Sequence, residues 1–331
     1  MKLKKLIGDK AFYKSVLTVA VPIMIQNGIS NFVSLLDNIM VGQVGTEQMS
    51  GIAIVNQLIF VFNLAIFGAL SAAGIFGAQF YGCRDHEGVK HAFRYKFYAC
   101  IALVALGIGI FLMFGQELIL LYLHDEGGTT QSLDAALRYG KEYLGIMLVG
   151  LLPFALEEAY ASTLRECGET KVPMLAGIVA VFVNLGLNYL LIFGKLGFPT
   201  LGVAGAAIAT VISRYIQMLI VIVWTHAHQA RMPFAKGLYK GLSIPGQLAL
   251  KITVKGMPLM VNEILWAAGM AVMNQCYSLR GLDAVAGLNI ASTITNLFNI
   301  VLWRWGALSP LWWGSSLGPE KWRRPRMWIP S

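Results

Sequence analysis

Eight apolar stretches, each long enough to cross a bilayer as a helix, leave this chain few ways to fold. They run roughly over 15–41, 51–81, 95–123, 140–162, 172–194, 201–224, 250–278 and 283–303. A membrane helix needs about 20 predominantly apolar residues. Inside the hydrocarbon every backbone polar group must be satisfied within the protein, so stretches of this length are read as helices. The expected fold class is therefore all-α, a polytopic membrane protein. Composition agrees, because only 13% of residues are charged and the mean hydropathy is +0.63, against about 25% charged in a soluble domain. An ordinary soluble enzyme, a disordered chain and a nucleic-acid module are all excluded on that ground. Gly and Pro within the stretches, including Pro22, Pro153 and Pro258, are compatible with membrane helices and are expected to mark kinks.

The net charge of +9 has a place in such a protein, since Lys and Arg collect in cytoplasmic connections. About 16 basic residues fall in one set of connections: the lysine-rich start, the Arg84/Lys90/Arg94/Lys96 group, Arg165 with Lys171, and the 231–255 segment. About 4 fall in the other set, Arg138, Lys141, Lys195 and Arg280. The split puts the amino terminus in the cytoplasm of a multi-pass protein of the plasma membrane. No cleavable signal is expected, because the first apolar stretch is too long for one and lacks a small-residue cleavage pattern.

An internal repeat follows from placing Pro22 on Pro258. At this offset of 236 residues the gapless register also pairs Met24 with Met260, Asn38 with Asn274, Gly45 with Gly281 and Asn63 with Asn299. Six stretches separate the copies, so both start on the same side, as in a parallel repeat about an axis along the membrane normal. The expected organisation is a six-helix lobe over 1–226, a cytoplasmic inter-lobe linker over 227–247, and the first two helices of a second lobe over 248–303. A complete second lobe would bring the chain to about 460 residues.

Five segments in order resemble the multidrug and toxic compound extrusion (MATE) transporters. They are VPIMIQNGISNFVSLLDNIMVGQVG (21–45), STLRECGETKVPM (162–174), NLGLNYLLIFG (184–194), GVAGAAIATVISR (202–214) and MPLMVNEILWAAGM (257–270). The resemblance covers about residues 10–303 and implies two six-helix lobes around a central cavity. It also implies a secondary antiporter that exports organic, mostly cationic compounds in exchange for Na⁺ or H⁺. A lipid-linked substrate flippase of the same superfamily is the alternative, and a cavity lined by basic residues would favour it.

The polar residues within the stretches are the candidates for chemistry. A carboxylate at the depth of Asp37 is costly unless it faces protein or water; the other reading places it at the helix end, in water. The resemblance implies a coupling role, since family members carry an aspartate fifteen residues after the first-helix proline, and Asp37 follows Pro22 by fifteen. Asn184 and Asn188, four apart, share a helix face and offer two amide oxygens of the kind a small hard cation prefers; interhelical hydrogen bonding is the other reading. Thr210 adds a hydroxyl, either to that site or to its own helix backbone. Na⁺ at Asp37, Asn184 and Asn188 is the candidate ion site. The family has either aspartate or asparagine at the second position of the pair, and this chain has the neutral version.

Glu157 and Glu158 are adjacent, pointing about 100° apart on a helix. They either line a cavity or sit near the headgroups with Arg165. Glu263 follows Pro258 by five residues. One family branch carries a coupling glutamate in this helix, at a different distance from the proline. Pro22 and Pro258 are the candidate hinges.

No P-loop, dinucleotide fingerprint, HExxH or paired Cys/His spacing occurs, so neither an enzyme nor ATP-driven transport by this chain is expected. Cys83, Cys100, Cys167 and Cys276 are dispersed and suggest neither disulfides nor a metal site. Beyond the coupling ion no cofactor is expected. The partners are small organic cations and the lipid bilayer, with no nucleic acid, and the protein is expected to be monomeric.

From about 303 the composition breaks. Six of the eight tryptophans, Trp303, Trp305, Trp312, Trp313, Trp322 and Trp328, lie there, and Arg304 and Pro310 interrupt the helical run. Residues 304–331 are expected to be an out-of-frame tail. Helices seven and eight then lack packing partners, and the 331-residue product is expected to be inactive.

Overall fold

The computed structural model describes residues 40–121, 130–241 and 243–278, together with Ile25, Gly28 and Ile29. Pro22, Asp37, the eighth stretch and the tail lie outside the described residues. Every long element is an α-helix: α1 (Thr46–Gly82), α2 (His86–Leu120), α3 (Thr130–Val149), α4 (Leu151–Glu166), α5 (Lys171–Phe193), α6 (Gly202–Ala227) and α7 (Gly246–Ser278). The all-α membrane architecture expected from the apolar stretches is what is found. α1, α2, α5 and α6 are each long and apolar enough to span a membrane, and α3 with α4 forms a fifth, bent span.

α1 and α2 are the longest helices, with 37 and 35 residues. At 1.5 Å rise per residue they reach about 50–55 Å, well beyond a hydrocarbon core of about 30 Å. A tight turn at Cys83–Asp85 joins them. Arg84 has φ 58°, and the Asp85 side chain caps α2 by accepting from Gly88 N at 2.9 Å. The third apolar stretch, expected to start near 95, therefore begins as a helix at His86. Lys90, Arg94 and Lys96 lie on it, buried, and are not loop residues.

The fourth stretch, expected as one helix over 140–162, is two helices bent by 45° at Gly150. Pro153 lies in the first turn of α4, where a missing N–H costs least. The Gly150 carbonyl accepts a long 3.4 Å bond from Phe154 N and a second from Arg214 Nη1 of α6 at 3.2 Å. The bend is thus held from α6. Pro258, by contrast, lies inside a continuous α7.

α1 packs on α2, α3, α4 and α7, α5 packs on α6, and α3 and α4 also meet α6. Small residues allow the closest approaches: a Cβ on Gly205 of α6 would stand 2.7 Å from the Leu191 carbonyl of α5. One core joins Val55, Ile59, Ile66, Leu144, Leu151, Ile192 and Ala207. A second, at the end carrying the α1–α2 turn, joins Val89, Phe93, Tyr160, Leu164, Val221, Phe234 and Leu238. Three residues of the linker, Met232, Phe234 and Leu238, are in that second core, so the 227–247 connection is packed against the bundle. Leu112, Met113, Phe114, Phe182 and Val223 point outward and exposed, as a lipid-facing surface requires.

Candidate functional site

The asparagines of α5 and the threonine of α6 meet between the two helices. Asn188 Nδ2 donates to Asn184 Oδ1 at 3.2 Å, Asn184 Nδ2 donates to Thr210 Oγ1 at 3.2 Å, and Thr210 donates to the Ala206 carbonyl at 3.0 Å. Asn184 and Asn188 are only 7% and 2% exposed, so the polar chain runs through apolar packing. The i, i+4 spacing on α5 puts both amides on one face, and Gly205 lets α6 come near enough for Thr210 to continue it. Three side-chain oxygens are collected there, Asn184 Oδ1, Asn188 Oδ1 and Thr210 Oγ1. They are the ligand type of a hard monovalent cation.

The other candidates fall at different places. Asp37 lies outside the described residues. Glu263 is half-buried on α7, whose main packing is on α1, so it belongs to a different interface from the asparagines. Glu157 and Glu158 are both buried, at 4% and 7% exposure. Glu158 accepts from Arg165 Nη1 at 2.7 Å. Glu157 reaches Gln217 of α6, and its Oε1 has no hydrogen-bond partner among the described residues. Neither faces lipid.

Three polar clusters have no counterpart in the sequence reading. Lys96 Nζ of α2 is enclosed by Ser162 Oγ, Thr163 Oγ1 and Glu166 Oε1 of α4, at 3.1, 3.0 and 2.5 Å. Arg94 of α2 donates to the linker carbonyls of Leu238, Lys240 and Ser243. Tyr160 OH of α4 bonds His226 Nε2 at 3.1 Å and the hydroxyl of Tyr239 on the linker. Among the described residues no group of three His, Cys, Asp or Glu is arranged to hold a metal ion. Cys83, Cys100 and Cys167 are free, Cys83 exposed and the other two buried.

The MatE family model matches residues 22–190, half of the chain, including the bent span and both asparagines. The chain belongs to the MatE family. Curated MatE relatives include a probable multidrug resistance protein NorM of Thermotoga maritima, 28% identical over 286 residues that cover 86% of this chain and 59% of the relative. The multidrug resistance protein MdtK of Yersinia pestis is 26% identical, covering 86% of this chain and 60% of the relative. Among solved structures, a MOP superfamily transporter from Pyrococcus furiosus superposes with a TM-score of 0.74 at 22% identity, over 91% of this chain and 65% of that one. A multidrug resistance MATE family transporter in an outward-facing conformation gives the same TM-score, identity and coverage. The chain thus spans about 60% of the length of these curated relatives. MatE proteins are transporters and not enzymes, and this chain is a membrane protein.

Proposed function

We propose that the chain is the ion-coupling part of a secondary active exporter, which moves organic, mostly cationic compounds out of the cell in exchange for Na⁺ or H⁺. The observation that carries this reading is the buried Asn188–Asn184–Thr210 chain between α5 and α6. An amide and hydroxyl cluster buried in apolar packing is expensive to build, and its oxygens are what a small hard cation takes as ligands. In this reading Asp37 supplies the charge, the amide and hydroxyl oxygens supply neutral ligands, and bending near Pro22 and Pro258 alternates the access. Binding the ion and binding the cationic substrate then compete for one negative charge, which is what exchange requires. The names of the NorM and MdtK relatives support export of drug-like compounds.

The basic residues at the end carrying the α1–α2 turn and the linker support a plasma-membrane protein with that end, and the amino terminus, in the cytoplasm. No additional cofactor or nucleic acid has a part, and the protein works as a monomer in the bilayer. The flippase alternative needs free buried basic groups for a lipid pyrophosphate. The buried ones among the described residues are committed, Lys96 to Glu166, Arg94 to three carbonyls and Lys90 to Glu87, as are the half-buried Arg165, to Glu158, and Arg214, to the Gly150 carbonyl and the Phe154 ring. Ion binding tests the proposal. Na⁺, but not choline, should raise the melting temperature of the detergent-purified protein, or an H⁺-coupled form should take up a proton on substrate release. Asn188→Leu should remove either signal, and an unchanged signal in that variant would contradict the assignment.

A further inference from the structure

Three consecutive residues of α2, Arg94, Tyr95 and Lys96, reach three different parts of the molecule. Successive side chains leave a helix about 100° apart, so one tripeptide on a helix with neighbours around it can serve several. Arg94 donates through all three guanidinium nitrogens, Nε to Leu238 O at 3.1 Å, Nη2 to Lys240 O at 2.9 Å and Nη1 to Ser243 O at 3.2 Å. The hydroxyl of Tyr95 lies 2.8 Å from Thr253 Oγ1 of α7. Lys96 is tied to α4 through Ser162, Thr163 and Glu166.

The linker itself is built to receive the clamp. Phe234 and Leu238 are 1% and 2% exposed, and Phe234 packs on Phe93 of α2 with ring centroids 6.0 Å apart. Tyr239 stacks on His226 at 5.6 Å and bonds Tyr160. The last clamped carbonyl is Ser243. The Pro245 carbonyl already accepts from Leu248 and Ala249, at 2.9 and 3.1 Å, as the start of α7. Only Ile244 and the bond into Pro245 lie between the clamp and the helix.

We propose that Arg94, Tyr95 and Lys96 form a junction that makes the linker to Ser243 a fixed part of the first bundle, and that leaves Ile244–Pro245 as the pivot for α7. The three attachments differ in how readily they part. Arg94 and Lys96 are buried charges with several partners each, and breaking either set would strand a charge away from water. The Tyr95–Thr253 pair is exposed and neutral, so water replaces it at little cost. Movement that parts α7 from α2 therefore breaks the Tyr95 contact and leaves the linker seated. Arg94 acts here as a positioning residue.

Limited trypsin digestion of the full chain in membranes tests this. The linker presents Arg231, Lys236 and Lys240, all exposed, and the α1–α2 turn presents exposed Arg84 as an internal reference at the same end. R94Q should speed cutting at the linker sites at least tenfold and leave cutting at Arg84 unchanged. R94K, which keeps the charge but loses the fork, should fall between, and Y95F should leave the linker rate as in the wild type. If R94Q is lost from the membrane fraction, R94K is read in its place. Linker cutting at the wild-type rate in the variant read, equal acceleration at Arg84, or Y95F matching R94Q would each overturn the proposal.

Discussion

Lys96 Nζ of α2 stands 2.5 Å from Glu166 Oε1 of α4, with the two side chains 0% and 6% exposed. The pair sits against α1, where a Cβ on Gly77 would come 2.3 Å from Glu166 Oε2, so glycine there is what lets α1 close over the carboxylate. A buried pair of this kind is poor evidence for net stability, because two charges had to be desolvated to make it. It is strong evidence for what happens when one partner goes.

Lys96→Met alone should therefore cost about 3–5 kcal/mol, because Glu166 is left buried and uncompensated. Adding Glu166→Leu should recover most of that loss. Thermal melting of the purified single and double variants reads the difference. A double variant no more stable than Lys96→Met would mean that the two charges are not coupled.

The cysteines test which end and which side chains are reachable. Burial, with the Glu166 carboxylate beside it, pushes the Cys167 thiol up to about 12. Its thiolate fraction then stays very small from pH 7 to pH 9. In a Cys276→Ser background, a membrane-impermeant maleimide should modify exposed Cys83 from the cytoplasmic side only and leave Cys100 and Cys167 unmodified at either pH. Labelling of Cys83 from outside would reverse the proposed orientation.

Much of the fold is legible in the sequence, for a physical reason. α5 and α6 begin and end within a few residues of their apolar stretches, because lipid selects composition directly and no partner is needed to read it. The bend at Gly150 is not legible in that way, since hydropathy reports that a segment is greasy and not which way it runs. The start of α2 at His86 is missed for the opposite reason. Lys90, Arg94 and Lys96 lower the hydropathy of the segment, and the last two are held by partners distant in sequence, Leu238 being 144 residues from Arg94 and Glu166 70 from Lys96. Within the site, Asn184 and Asn188 are visible as an i, i+4 pair, whereas the closure by Thr210 depends on how α5 and α6 pack. The linker reads as polar from its basic residues, and only the packing shows Phe234 and Leu238 in the core.

Removing the middle member of the polar chain should have a defined cost. Asn184→Ala removes one hydrogen bond each from the Asn188 amide and the Thr210 hydroxyl in a buried setting, which is worth about 0.5–1.5 kcal/mol for each bond. Thr210→Ser keeps the hydroxyl and should stay within about 1 kcal/mol of the wild type. Melting curves of the two variants check the order, and an Asn184→Ala protein as stable as Thr210→Ser would show that the chain of bonds carries little.

The central claim is that a charge at Asp37, with the α5–α6 cluster, couples an ion gradient to export. Efflux of a cationic dye from proteoliposomes holding a full-length version with both expected lobes, driven by an imposed Na⁺ or H⁺ gradient, tests it most directly. Asp37→Asn should abolish gradient-driven efflux while insertion into the bilayer is unchanged. Undiminished efflux in that variant would contradict the account.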